Sequence, residues 1–373
     1  MRLKTFLTSV SAAALLIAAS VTTSALADSS HPTLLAKKEG VGKPVDNGSD
    51  PVDPQPNDSW MHDDVPLAWG YNGGSYLGAR APDAAPGLRG VTMTFVDDFY
   101  SGATRAGNLG DGDYSLTHGE WTSKEGHMIA PLADIAVHDY LSGEAVTLPS
   151  YSGVFNVLNL SYSDKYNTSQ ETTDLYTAGN LFTAQETSII DFAKSGAAFV
   201  AKSAGNDGGT AVGDSVTSGR GRFTQTVRDY LSVGLMDAAG DNPNTFSGVW
   251  VGALDGNSSV THNPDGTSTV QTKVSIADYS TQAGTDERVN ANYLMVGVDT
   301  ALNGGFEGTS FAAPIVSGYA AILASKFKTA TPLQVKNQLL KTARQDTIND
   351  YSLNVHGQGE ASIYRAVAPD SIQ

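Results

Sequence analysis

Ser310 lies in a segment whose residue types suit a nucleophile. Residues 308–314 read Gly-Thr-Ser-Phe-Ala-Ala-Pro, and small and apolar residues continue to about position 327. A segment that is apolar on every face predicts a buried helix, and Pro314 is compatible only with its first turn. Free N–H groups and the positive dipole at a helix start stabilise an oxyanion that develops nearby. The segment therefore predicts a serine nucleophile at the start of a buried helix, whereas a serine without further context would simply cap one.

Asp97 and His118 lie at the ends of predicted elements. Residues 91–96 are rich in β-branched and aromatic residues and end at the pair Asp97-Asp98. This pattern predicts a buried parallel strand that presents an acid at its carboxyl end, where sites form in open α/β sheets. His118 is followed by Gly119 and opens a predicted helix, after which an Ala-Pro segment leads into another predicted strand. Taken alone, the acid would be a turn cap and the histidine a structural residue.

A glycine-rich loop follows a third predicted strand. An amphipathic helix is predicted over residues 186–196 and a strand over 197–201, and the chain then reads Ser-Ala-Gly-Asn-Asp-Gly-Gly over 203–209. An asparagine before glycines, here Asn206, is by itself a turn residue. The alternation of strand and helix predicts βαβ units and therefore a parallel sheet.

The sequence resembles the subtilase serine proteases. The pattern Gly-Thr-Ser-x-Ala-x-Pro-x-x-x-Gly at 308–318 is similar to their nucleophile motif, and the motifs around Asp97, His118 and Asn206 precede it in the order that this family uses. The resemblance covers about residues 91–367. It implies that Asp97, His118 and Ser310 are catalytic and that Asn206 donates to the oxyanion hole.

The same resemblance implies residues that bind substrate. A predicted strand over 157–163 is similar to the Asn-x-Ser segment, whose edge pairs with the substrate backbone. The predicted substrate-binding residues are Ser161, Tyr162, Ser163, Ala204 and Gly205. The chain differs from the family motifs at Ser163, where glycine is usual, at Phe99, where glycine is usual, and at Glu120, where threonine or serine is common.

The resemblance also implies the fold class. We expect a mostly parallel, doubly wound α/β sheet that is flanked by helices. Residues 230–237 and 245–247 resemble the next strand and loop of the family, and residues 252–285 predict surface loops or β-hairpins. Thr331-Pro332 predicts the capped start of a helix.

Composition excludes several classes of function. The chain has 373 residues, is 40% hydrophobic and only 17% charged, and is long enough for one large buried core. Its net charge of −16 argues against nucleic acid or an anionic membrane as a partner. It contains no cysteine, so its stability outside the cell would come from its core and from any bound cations rather than from disulfides.

The first residues predict export. Residues 1–27 have two basic residues, an apolar core and a final Ala-Leu-Ala, which is typical of a cleaved signal peptide. Residues 28–60 are a polar, Pro- and Asp-rich linker or short pro-segment, and 61–373 would be the catalytic domain. We expect a secreted or periplasmic protein with no membrane anchor. The acids at 50–58 could bind Ca²⁺, although such acids are usually only solvated.

The function that these observations predict is a monomeric, secreted serine endopeptidase that acts on protein or peptide substrates. The chemistry requires no cofactor, and the resemblance implies structural calcium as a candidate with no ligands identified. A carboxyl peptidase with Ser-Glu-Asp chemistry would have Glu and Asp where His118 and Asn206 stand, and an α/β-hydrolase esterase would need Gly-x-Ser-x-Gly around Ser310. The remaining alternative is an exported, non-catalytic subtilase-like protein that binds peptides or partners.

Overall fold

The computed structural model describes residues 60–80, 89–168, 182–220, 223–298 and 306–373. The strands, in chain order, are β1 (Val91–Asp97), β2 (Arg105–Gly107), β3 (Tyr114–Leu116), β4 (Asp134–Asp139), β5 (Phe155–Leu160), β6 (Lys165–Asn167), β7 (Phe199–Ser203), β8 (Val216–Arg220), β9 (Phe223–Asp229), β10 (Gly248–Leu254), β11 (Ser259–His262), β12 (Ser268–Thr272) and β13 (Tyr293–Gly297). The helices are α1 (Asp64–Trp69), α2 (His118–Ile129), α3 (Ala184–Ser195), α4 (Tyr230–Asp241), α5 (Glu287–Asn290), α6 (Ala312–Lys326), α7 (Pro332–Thr342), α8 (Leu353–His356) and α9 (Ile363–Val367). The predicted signal peptide and the predicted linker, except Trp60, lie outside the described residues.

Six of the strands form one parallel sheet. Their order is β13-β10-β7-β5-β1-β4, and every neighbouring pair runs parallel. The first crossover places β4 on one side of β1 and the next places β5 on the other side, so the strand order reverses at β1. Ligand sites in such sheets lie beyond the carboxyl ends of the strands at this reversal. The predicted fold class is confirmed.

Alternate residues of the strands pack on opposite faces of the sheet. In β10, Val249 and Val251 join a buried cluster with residues of α2 and α6, whereas Trp250 and Leu254 join a second cluster with residues of α3 and α4. Side chains of a strand alternate between its two faces. Because helices cover both faces, β10 is apolar along its whole length rather than at every second residue.

Helix α6 lies in the centre of one helical layer. Every residue from Ala312 to Ser325 is buried, and the helix contacts β1, β5, β7, β10 and β13 as well as α2. The predicted helix that is buried on all sides is therefore confirmed. Its position beneath five strands holds the residues that precede it against the carboxyl edge of the sheet.

Several smaller predictions are also confirmed. Helix α3 ends at Ser195, and the glycine that follows, Gly196, has a left-handed φ of 72°. Helix α7 begins at Pro332 after Thr331, whose hydroxyl accepts a hydrogen bond from the Gln334 N–H. Strands β11 and β12 form an antiparallel hairpin within the region where hairpins were expected.

The strand expected at residues 230–237 is wrong, because these residues belong to α4. The Asp229 side chain accepts hydrogen bonds from the backbone N–H and the hydroxyl of Ser232, at 3.5 and 2.9 Å, and so caps a helix start. Buried Leu231, Leu235 and Ala239 recur at the four-residue spacing of one helix face. The strand comes later in the chain, as β10.

The first described residues pack against the last helix. Helix α1 contacts α9, and Asp64 in α1 lies 2.7 Å from Nε2 of His262 and accepts from the Ser362 hydroxyl at 3.4 Å. Trp60 is buried and donates from its indole nitrogen to the Leu109 carbonyl at 2.9 Å. We call this set of contacts the terminal clamp. None of the helices in the described ranges combines the length and the apolar character that a membrane span requires.

Candidate active site

The carboxyl end of β1 brings Asp97 to His118. Asp97 is the last residue of β1 and is 1% exposed, and His118 is the first residue of α2. His118 Nδ1 lies 2.6 Å from Asp97 Oδ1. The other carboxylate oxygen accepts from the Thr122 hydroxyl at 2.9 Å, and the Asp98 N–H donates to Oδ1 at 2.7 Å. Because both oxygens are held, the carboxylate fixes the imidazole with its Nε2 directed away from Asp97.

A capping box starts the helix that carries His118. Glu120 Oε2 accepts from the Thr117 N–H at 2.7 Å, and the Thr117 hydroxyl accepts from the Glu120 N–H at 3.3 Å. The pair satisfies two N–H groups that a helix start otherwise leaves unpaired. The departure from the family motif at Glu120 is therefore explained by the local structure, since an acid three residues after the cap closes this box.

Phe99 fills the space beside Gly119. The Phe99 ring is buried, and a Cβ atom on Gly119 would lie 2.8 Å from both that ring and the Asp98 carbonyl oxygen. The Gly119 N–H donates to the same carbonyl at 2.9 Å. A glycine directly after His118 therefore lets the end of β1 and the start of α2 touch.

Ser310 lies in the turn that precedes α6. Its carbonyl oxygen accepts from the Ser161 hydroxyl at 2.8 Å, and the ring of Phe311 meets the His118 ring edge-on with 5.9 Å between centroids. Gly308 has a φ of +132°, and a Cβ atom there would lie 3.2 Å from Nδ2 of Asn206. The turn therefore brings the predicted nucleophile into one region with His118 and Asn206.

Asn206 follows β7 and is held by Thr309. Asn206 Oδ1 accepts from the Thr309 N–H at 2.8 Å and from the Thr309 hydroxyl at 3.0 Å, and that hydroxyl accepts from the Gly205 N–H at 3.1 Å. Because Thr309 holds the side-chain oxygen Oδ1, the amide nitrogen Nδ2 is the group of Asn206 that is left to donate. A side-chain amide that is held in this way is the kind of donor that stabilises an oxyanion.

The predicted substrate-binding residues lie at the ends of two neighbouring strands. Ser161, Tyr162 and Ser163 follow β5, and Ala204 and Gly205 follow β7, which pairs with β5. Both segments lie at the same edge of the sheet as Asp97, because the strands are parallel. Ser161 is buried and its hydroxyl contacts the Ser310 carbonyl, so this side chain supports the site rather than facing solvent.

A family model matches the larger part of the chain. Residues 138–359, more than half of the chain, match the model described as the subtilase family. The chain belongs to this family. The matched range of this subtilase includes Asn206 and Ser310 and begins after Asp97 and His118, whose assignment depends on motif order and on the contacts above.

This subtilase is similar to Mycosin-4 of Mycobacterium tuberculosis, with 29% identity over 184 residues. The match covers 47% of this chain and 35% of that protein, so the chain spans about a third of the relative's length. Among solved structures it is similar to MycP1 from the ESX-1 type VII secretion system, with 16% identity, a TM-score of 0.46, and coverage of 88% of this chain and 90% of that one. It is also similar to the prenylagaramide maturation protease PagA, with 18% identity, a TM-score of 0.40, and coverage of 82% and 98%.

Four side chains that support the site of this subtilase were not assigned roles from the sequence: Thr122, Asn159, Thr309 and Ser317. The Ser317 hydroxyl donates to Asn159 Oδ1 at 3.1 Å, and Asn159 Nδ2 donates to the Ser161 hydroxyl at 2.9 Å. A chain of hydrogen bonds therefore runs from the interior of α6 to the Ser310 carbonyl. Thr309 could have been found from its place in the serine motif, whereas the only signal for Ser317 is a polar residue in an apolar helix.

Calcium ligands are not identified. Within the described ranges, no three His, Asp or Glu side chains converge in a way that could hold a metal ion. The acids at 50–58 lie outside the described residues. Structural calcium stays a prediction.

Proposed function

We propose that this subtilase is an exported serine endopeptidase that hydrolyses peptide bonds through an acyl-enzyme intermediate. The observation that supports the proposal most directly is the 2.6 Å contact between His118 Nδ1 and Asp97 Oδ1 at the sheet edge where Ser310 and Asn206 also lie. An imidazole oriented by a buried carboxylate is the group that activates a serine in enzymes of this chemistry.

In this proposal Ser310 attacks the scissile carbonyl and His118 takes the hydroxyl proton. Since Nδ1 faces Asp97, Nε2 is the nitrogen that accepts this proton and then delivers it to the leaving amine. Asn206 Nδ2 and the Ser310 N–H stabilise the oxyanion. Water then attacks the acyl group, with His118 as the base, and Ser310 is regenerated.

The proposal includes export of the enzyme. It is supported by the signal pattern of residues 1–27, which predicts a mature chain that begins at Asp28. Amino-terminal sequencing of protein from the medium and the periplasm would check this, and a chain that keeps its first residues in the cytoplasmic fraction would contradict it. The expected monomeric state can be measured on the same samples by light scattering.

Labelling with a fluorophosphonate tests the catalytic assignment. We expect mass spectrometry to locate the label on Ser310, and we expect Ser310→Ala to lose both the label and the digestion of casein. His118→Ala is the matched control, because it keeps the serine and should lose rapid labelling if the imidazole activates it. A folded wild-type protein that is neither labelled nor active would refute the proposal and favour the non-catalytic binding protein.

A further inference from the structure

The chain between the ends of β1 and α2 forms a small two-stranded ribbon. Strands β2 and β3 pair with each other and run antiparallel. We call residues 105–116 the connecting ribbon, because they lie along the chain between Asp97 and His118. The Arg105 carbonyl accepts from the indole nitrogen of Trp121 at 2.9 Å. The connecting ribbon is therefore fastened to α2, the helix that carries His118.

Phe306 packs against the connecting ribbon, four residues before Ser310. Phe306 is 5% exposed, and a Cβ atom on Gly107 of the ribbon would lie only 2.3 Å from its ring. The Trp121 ring packs on Phe306 from α2, with 4.8 Å between the ring centroids. The ribbon, α2 and the segment that leads to Ser310 therefore meet at one buried ring.

The ring contacts continue from Phe306 to the imidazole of His118. The rings of Phe306 and Phe311 stack, with 4.9 Å between centroids and an interplanar angle of 11°. Phe311 is 1% exposed and meets the His118 ring edge-on, with 5.9 Å between centroids. Both arrangements are ones that aromatic pairs prefer. Because interiors are packed without large voids, a shift of one ring in this row must move its neighbours.

The outer end of the row is held by a charged side chain of α2. Tyr114 of the ribbon meets the Trp121 ring edge-on, with 6.4 Å between centroids, and the Lys124 ammonium lies 4.6 Å from the centroid of the Tyr114 ring. Lys124 is 9% exposed and forms an ion pair with Asp111, which also belongs to the ribbon. One buried ammonium group therefore attracts two side chains of the connecting ribbon and keeps it on α2.

His118 needs a contact besides its hydrogen bond to Asp97. That bond, between Nδ1 and Oδ1, fixes one nitrogen of the imidazole, and a ring that is held at one atom can still tilt about it. Phe311 contacts the ring from the turn that carries Ser310, so it limits this tilt. Because Phe306 lies behind Phe311, the limit depends on the ribbon as well. A displacement of about 1 Å between reacting groups can lower a rate by about 100-fold.

We infer that Phe306 is a positioning residue for the proposed peptidase, because it holds Phe311 against His118. With the connecting ribbon as its support, it fixes the distance between the imidazole and the Ser310 hydroxyl. The inference rests on the proposed peptidase function. Since Phe306 is buried under the ribbon and does not contact substrate, its effect should appear in kcat rather than in KM.

The test changes the packing around Phe306 from both sides in the full-length protein. Phe306→Leu removes the stacked ring, and Gly107→Val places a side chain where the ring lies. Each single variant should lower kcat by about tenfold and change KM by less than about twofold. The double variant should recover most of this loss, because leucine leaves room for the valine, and the recovery would measure the coupling of the two positions. Ala106→Val, at an exposed position of the same strand, is the matched control and should change neither constant.

Two further measurements separate loss of position from loss of folding. Urea unfolding identifies variants that are folded in the assay, and Gly107→Ala replaces Gly107→Val if the larger side chain prevents folding. The far-downfield proton resonance of the hydrogen bond between His118 and Asp97 reports on the imidazole itself. We expect this resonance to shift in both single variants and to return in the double variant.

The inference would be overturned by folded single variants with unchanged kcat and an unchanged resonance. It would also be overturned if a rise in KM accounted for the whole loss, or if the losses in the double variant were simply additive. In each of these cases fluorophosphonate labelling of Ser310 in the wild type would still uphold the peptidase. Failure of that labelling would instead refute the peptidase and the inference with it.

Discussion

The contacts of Thr309 allow a quantitative prediction for the oxyanion donor. Thr309→Val keeps the size of the side chain and removes the hydroxyl that donates to Asn206 Oδ1 at 3.0 Å, while the backbone N–H still holds that oxygen at 2.8 Å. Losing one of two such bonds should cost about 1 kcal/mol of transition-state stabilisation and lower kcat by about fivefold. Complete removal of the donor in Asn206→Ala should cost far more, about 100- to 1,000-fold.

The same substitution leaves the Gly205 N–H without an acceptor, because it donates to this hydroxyl at 3.1 Å. We therefore expect the free energy of unfolding to fall by about 1–3 kcal/mol. Steady-state kinetics with one peptide and urea unfolding would measure both effects, and Thr309→Ser, which keeps the hydroxyl, is the control. The reasoning would be refuted by a folded Thr309→Val enzyme with unchanged kcat, or by a Thr309→Ser enzyme that is impaired to the same extent.

Three further predictions concern the supporting structure and a buried acid. Glu120→Ala opens the capping box of α2 and should lower the free energy of unfolding by about 1 kcal/mol in a denaturant titration, so an unchanged midpoint would argue against this role. Asp64→Asn leaves the His262 nitrogen without its buried carboxylate and should cost about 2 kcal/mol in the same assay, whereas exposed Asp63→Asn should cost nothing measurable. Burial, and then the adjacent carboxyl of Glu186, raise the pKa of Asp164 to about 8, so this group is neutral at pH 7 in the folded protein; the free energy of unfolding should therefore fall as the pH rises from 4 through 8 in a urea titration, and a fall of the same size in Asp164→Asn would contradict this.

Much of the fold could be predicted because buried parallel strands have a strong local signature. Residues 91–96 are rich in β-branched and aromatic residues and are followed by an acid, and the structure has β1 at Val91–Asp97. The helix after Ser310 was equally clear, since a segment without a polar face has only the interior to occupy. The place of the site follows from these elements, because the carboxyl ends of parallel strands meet at one edge.

The remaining features depend on contacts between distant parts of the chain. Lys165 and Asp207 form an ion pair although they are 42 residues apart, and nothing near either residue indicates that they meet. The hydrogen bond from Ser317 to Asn159 spans 158 residues and depends on how α6 crosses the sheet. The strand predicted at 230–237 is wrong for a local reason: the apolar residues of this segment resemble a strand of the family, whereas the cap at Asp229 marks a helix start.

The terminal clamp has a consequence for a chain that contains no cysteine. Asp64 and Ser362 are 298 residues apart, and their contact closes nearly the whole described chain into a loop, as a disulfide between its ends would. A disulfide also restrains the denatured chain, whereas this noncovalent closure disappears when the protein unfolds. The terminal clamp therefore couples α1 and α9 rather than stabilising each helix separately. Neither helix can unfold locally without releasing the other. A protease that cuts locally unfolded chain would therefore find α1 and α9 protected until both are released together.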